Sequence, residues 1–152
     1  MDIQKLVTDE LYLIRELFNK QMRLLAYLVL IKEEQRFLVP VSFKDDEHKD
    51  VVGQGMRDLV REVMPDVVIF TSEVWISKLD MKAYKEGRMI REANDRQEAV
   101  QVLFEFKTGE RFLKCAHIMR TGELARLARF EDWDYKTLTG RFVDFFPPTN
   151  LH

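Results

Sequence analysis

The stretch from Ala99 to Met119 constrains the fold more than any other part of the chain. Val100, Val102, Phe104 and Phe106 alternate with Gln101, Leu103, Glu105 and Lys107, and Thr108-Gly109 follows at once. A period of two is that of a strand with one apolar face, and a glycine at the break supplies a tight turn. Arg111 to Met119 then returns as a second strand. An antiparallel hairpin is predicted here, and the remaining elements have to be compatible with it.

Residues 2–22 read as an amphipathic helix. Ile3, Val7, Leu11, Ile14 and Phe18 recur at steps of three or four, Leu6, Leu13 and Leu17 widen the stripe, and Asp2 is placed to cap it. An apolar face this broad predicts more than one neighbour, which includes a second subunit. Residues 24–32 form an apolar run that suits a strand buried on both faces. After Lys32-Glu33-Glu34-Gln35, the alternation of Phe37, Val39, Val41 and Phe43 predicts another strand. Pro40 lies within it and cannot donate a ladder hydrogen bond, so the strand belongs at an edge or carries a bulge.

Asp45 or Asp46 can cap a second helix carrying Val52, Met56, Leu59 and Val63, loosened by Gly53 and Gly55 and ended by Pro65-Asp66. Val67 to Ser77 reads as a strand, and residues 78–98 as a long charged connection. Beyond the hairpin, a short helix is expected from Thr121 with Leu124, Leu127 and Ala128 inside, then a loop holding Trp133 and Tyr135. Arg141 to Phe146 would form a last strand before Pro147-Pro148. Hairpins outnumber strand–helix–strand crossovers. The expected fold is therefore α+β, a single domain over 1–152. It is a two-layer arrangement, with a mostly antiparallel sheet of five to six strands and both helices packed on one face.

Net charge is −2 with acids and bases interspersed, so a broad nucleic-acid-binding face is not expected. The lone Cys115 permits no intrachain disulfide and suits a reducing compartment. The longest apolar run, Leu24 to Ile31, is too short for a membrane span, and the first residues carry no leader pattern. A cytoplasmic protein that needs no membrane, cofactor or metal is the expectation.

Pro65-Asp66 followed by Glu105-Phe106-Lys107 resembles the PD-(D/E)xK motif of metal-dependent nucleases. There, acidic groups hold Mg²⁺ and a lysine assists phosphodiester hydrolysis. Alternation places Glu105 and Lys107 on one strand face; the plainer expectation is the polar side of a half-exposed strand, with Asp66 as helix punctuation. Glu73 lies in an apolar strand beside Trp75, where a desolvated carboxyl could serve as an acid or base or form an ion pair. Cys115 and His117 share a face; they could form a nucleophilic pair or begin a metal site, but their apolar neighbours favour a buried thiol and a core or interface histidine. Trp133, Phe142, Phe145 and Phe146 concentrate aromatics near the C-terminus, either closing the core or forming a contact surface.

The function expected from these features is non-enzymatic: a protein-interaction or self-assembling, homodimeric module. The alternative is a metal-dependent nuclease using Asp66, Glu105 and Lys107. A third reading is a small hydrolase or lyase using Glu73 and His117.

Overall fold

Asp2 starts the first helix as its position predicts, its carboxylate accepting the Lys5 N–H at 3.1 Å. The computed structural model describes residues 2–42, 45–76, 97–134 and 144–146, without the side chains of Asp46 and Ile76. Helix α1 spans Ile3–Gln21 and buries Val7, Glu10, Ile14 and Phe18. It stops where Met22 turns left-handed at φ +58° and donates its N–H to the Phe18 carbonyl.

Strands β1 (Tyr27–Lys32) and β2 (Gln35–Pro40) make the first hairpin, α2 covers Asp46–Val63, and β3 runs Val67–Ile76. Strands β4 (Gln97–Phe106) and β5 (Arg111–Thr121) make the second hairpin, followed by β6 (Leu124–Leu127) and β7 (Glu131–Trp133). The strand order is β2-β1-β3-β4-β5-β6, with β7 paired to β5. β2 is therefore an edge strand, where Pro40 is tolerated. The fold is α+β with an antiparallel sheet. Among the described residues there are seven strands, more than the five to six expected, because β6 and β7 are short.

Contacts group the chain into two compact units. One comprises Met1–Leu24, Ser72–Gln101 and Cys115–Glu131; the other comprises Leu25–Thr71, Val102–Lys114 and Asp132–His152. In the first unit α1 packs on β6. The Arg15 guanidinium donates to the Leu127 carbonyl at 2.7 Å and to the Ala128 carbonyl at 2.8 Å, and lies over the Phe130 ring. In the second unit Met56 and Val60 of α2 pack with Leu28, Leu30, Val68, Phe70, Leu103 and Phe145. The sequence predicts a loosened α2 at Gly53 and Gly55, yet the helix runs through both. Burial of Met56 and Val60 outweighs the roughly 1 kcal/mol that each glycine costs relative to alanine.

Three expectations after the second hairpin are corrected. Residues 121–128 are not helical: Gly122, at φ +62°, turns the chain from β5 into β6, and Leu124 pairs with Thr121. Leu124 and Leu127 satisfy a three-residue step, but Ala125 and Leu127 are the buried positions, the period of a strand. Trp133 lies in β7 rather than in a loop. Residues 144–146 are not strand; residues 135–143, with Phe142, lie outside those described, as do 77–96 of the expected charged connection.

Thr71 ends the buried part of β3 with no exposed surface, and its hydroxyl has no hydrogen-bond partner among the described residues. A buried hydroxyl without a partner costs about 1–3 kcal/mol. Thr71→Val keeps the shape and removes that cost. It should raise Tm by roughly 2–4 °C for each kcal/mol recovered, a shift that differential scanning calorimetry resolves.

Candidate functional site

Asp66 enters through the end of α2. Met64 takes φ +53°, Pro65 is buried, and the Asp66 N–H donates to the Ile31 carbonyl at 2.7 Å. This brings Asp66 to the β1–β2 turn, where its Oδ2 accepts the Glu33 N–H at 3.1 Å. Glu33 and Glu34 stand at φ +51° and +68°, conformations that cost a non-glycine residue about 1 kcal/mol or more each. The Asp66 carboxylate helps hold that turn.

Lys107 is next to Asp66 through the main chain, its N–H donating to the Asp66 carbonyl at 2.9 Å. It lies exposed in the three-residue turn of the second hairpin, where Gly109 adopts φ +102° and Phe106 packs edge-on against Phe112.

Glu105 corrects a specific expectation. Rather than lying on a half-exposed polar face, it has no exposed surface. β4 is buried continuously from Val102 to Phe106, so both faces of this half of the strand are covered. Leu103 and Glu105 share a face by alternation, and Leu103 belongs to the core beneath α2. Glu105 Oε1 accepts the Phe145 N–H at 2.9 Å. Burial pushes its carboxyl above the ordinary range. Arg111 and the Phe146 and Phe145 N–H groups oppose that rise, and Asp144 adds to it. Arg111 also pairs with Asp144. Phe145 itself is core, tilted against Phe70 at 5.9 Å between ring centres. Trp133 is half-buried, next to Asp132, which pairs with Lys114.

The trio drawn from the nuclease-like motif therefore has two close members and a third whose carboxyl faces the core. Among the described residues, no group of three or more His, Cys, Asp or Glu side chains gathers where it could hold a metal.

Glu73 lies on β3 in the first unit, largely exposed, beside a cavity of about 180 Å³ lined with Val74, Trp75, Glu98 and Ile118. Partial desolvation raises its carboxyl, and the Leu24 N–H and Arg120 counter the rise. Arg120 donates to Glu98 Oε2. Cys115 is buried, and the buried Nδ1 of His117 has no hydrogen-bond partner among the described residues. A second cleft, about 430 Å³, lies between α1 and β6, with Asn19, Met22, Leu124 and Arg126 on its walls. Arg15 also lines it, with its guanidinium held by two carbonyls.

Two features escape the sequence reading. Glu10 is 2% exposed in the middle of the α1 stripe. The 7-10-14 spacing carried that signal, but a carboxylate in such a stripe is read as its polar margin. The other is the extent of the β2 edge. Every residue of β2 except Val39 is exposed, with Phe37 at 46% and Leu38 at 56%. Unlike the carboxylates, this edge strand gathers exposed apolar side chains in one place, which makes it the best-formed candidate site. No helix among the described residues is long and apolar enough to cross a membrane. Comparison of the chain with protein-family models, curated proteins and solved structures finds no match.

Proposed function

We propose that this chain is a non-enzymatic, self-assembling module of the cytoplasm that works as a homodimer. The observation that supports the reading is β2, which ends the strand order among the described residues and carries Phe37 and Leu38 on the surface. Unpaired strand edges seek another strand, and natural proteins cover or blunt them. Helix α1 adds a second apolar patch. Leu13 is 51% and Tyr12 64% exposed beside the half-buried Leu6 and Leu17. The single cysteine suits a reducing compartment.

Assembly and metal-dependent catalysis differ in a melting experiment. Anything that binds only the folded chain raises Tm as its concentration passes its Kd. For a homodimer the ligand is the protein itself. Tm should climb with protein concentration and stay unmoved by Mg²⁺ or Mn²⁺. A concentration-independent Tm that rises with Mn²⁺ would reject the module and favour the nuclease built on Asp66, Glu105 and Lys107.

A further inference from the structure

We propose that the cleft between α1 and β6 takes the C-terminal end of a peptide, which adds to β6 as a short parallel strand and sets its carboxylate beside Arg15. This goes beyond the assembly reading and is independent of it. Every residue involved belongs to the first unit.

Strand β6 ends the strand order on the side away from β2 among the described residues. Its backbone parity follows from two bonds. Ala128 donates its N–H to the His117 carbonyl at 2.8 Å, and this pair continues the register in which Ile118 faces Leu127. In an antiparallel ladder, pairs that exchange hydrogen bonds alternate with pairs that do not. Arg126 and Leu124 therefore bond to Met119 and Thr121 of β5, while Ala125 and Leu127 direct their main-chain groups away from it. The Arg15 guanidinium agrees with this direction, because it reaches the Leu127 carbonyl at 2.7 Å from α1. Outward along the cleft stand the N–H and carbonyl of Ala125 and the N–H of Leu127.

Arg15 selects the orientation of a guest strand. An antiparallel guest exchanges both bonds at Leu127 and needs the carbonyl that Arg15 already holds. A parallel guest does not. One of its residues gives its N–H to the Ala125 carbonyl and accepts the Leu127 N–H, and the residue two places earlier accepts the Ala125 N–H. If the first of these ends its chain, the group that meets the Leu127 N–H is a carboxylate. The N–H and C=O of one strand residue point to the same side, so that carboxylate lies next to the guanidinium on the Leu127 carbonyl.

Two observations favour a chain end over a passing segment. Arg15 bridges α1 to Leu127 and Ala128, which closes the cleft there. A guest entering past Met22 and Leu124 has to stop at Arg15. The second observation is charge. The walls carry Arg15 and Arg126 and no carboxylate side chain. A guanidinium has more N–H donors than the two that Arg15 uses on carbonyls, and arginine with carboxylate is among the strong charge-assisted pairs. The cavity of about 430 Å³ falls in the range of small-ligand sites. Four residues of β6 span about 13 Å, which suits a guest of about three or four residues. Met22 and Leu124, apolar at the open end, favour apolar side chains upstream of the terminus.

The test uses the isotope-labelled full chain and a pool of N-acetylated tetrapeptides of alanine, valine, leucine and phenylalanine with free C-terminal carboxylates. The amide resonances of Ala125 and Leu127 should move saturably with the pool. Amidating the C-terminus should weaken binding about tenfold or more, the loss of a charge-assisted bond. N-methylating the last peptide residue removes the donor to the Ala125 carbonyl and should weaken binding too. A nitroxide on the peptide N-terminus should broaden Leu124 before Ala128, as the parallel orientation requires. Equal binding of the amidated pool would overturn the chain-end reading, and broadening strongest at Ala128 would overturn the orientation. Sodium acetate that matches the peptides would make this a site for small acids instead. A pool that leaves Ala125 and Leu127 unmoved at millimolar concentration would overturn the site itself.

Discussion

Phe145→Ala should cost about 4 kcal/mol of folding stability, the value for emptying a buried aromatic site. Tm should fall by roughly 8–16 °C, at 2–4 °C per kcal/mol for a chain of this length. Phe145 is 1% exposed and fills the core beneath α2 with Met56, Val60, Phe70 and Leu103. Its ring lies tilted on Phe70, so truncation removes an aromatic contact as well as buried area. Urea unfolding followed by tryptophan fluorescence would measure the loss. A cost below about 1 kcal/mol, within the ordinary range for surface changes, would place Phe145 outside the core and return it to the role of a contact residue.

Glu105→Ala should cost about 3 kcal/mol, because it strands the buried Phe145 N–H and opens a void. Glu105→Gln retains an acceptor oxygen and the volume, and separates the hydrogen bond from the charge. The pH dependence separates them further. The folded carboxyl is raised, so the folded state holds the Glu105 proton more tightly than the unfolded chain does. Its contribution to stability is full below the unfolded carboxylate range and is lost as pH rises through the raised folded value. Relative to wild type, Glu105→Gln should therefore gain stability as pH climbs through that window and level off above it. Arg111 and Asp144 are the charged groups beside Glu105, so Arg111→Met should widen the window by removing the cation that opposes the rise. Parallel pH–stability curves for wild type and Glu105→Gln would show that Glu105 does not titrate differently on folding.

These two residues also mark where the sequence was legible. Local patterns carried the architecture. Asp2 and Asp45 cap the helices, Gly109 turns the second hairpin, and Pro40 sits on an edge strand. Each depends on neighbours within a few residues, which a pattern reading can see. Glu105 depends on Phe145, 40 residues away. Alternation put it on the face opposite the phenylalanines, and that was correct; what covers that face came from a distant segment that no period encodes. The same holds for Asp66, whose carboxylate accepts from a turn 33 residues earlier. The segment after Thr121 failed for another reason: four residues are too few for a strand period to be told from a helical one.

Arg15 carries a consequence for how the chain is made. Its guanidinium bonds to carbonyls 112 and 113 positions further on. An isolated helix of α1's length is marginal in water. During synthesis at about 5–20 residues per second, α1 therefore waits roughly 6–20 seconds for its partner to emerge. Through that interval the Arg15 guanidinium of α1 remains without the two carbonyls that hold it in the finished unit. Helix α1 appears well before the carbonyls that lock it, so the vulnerable species in the life of this protein is the nascent chain.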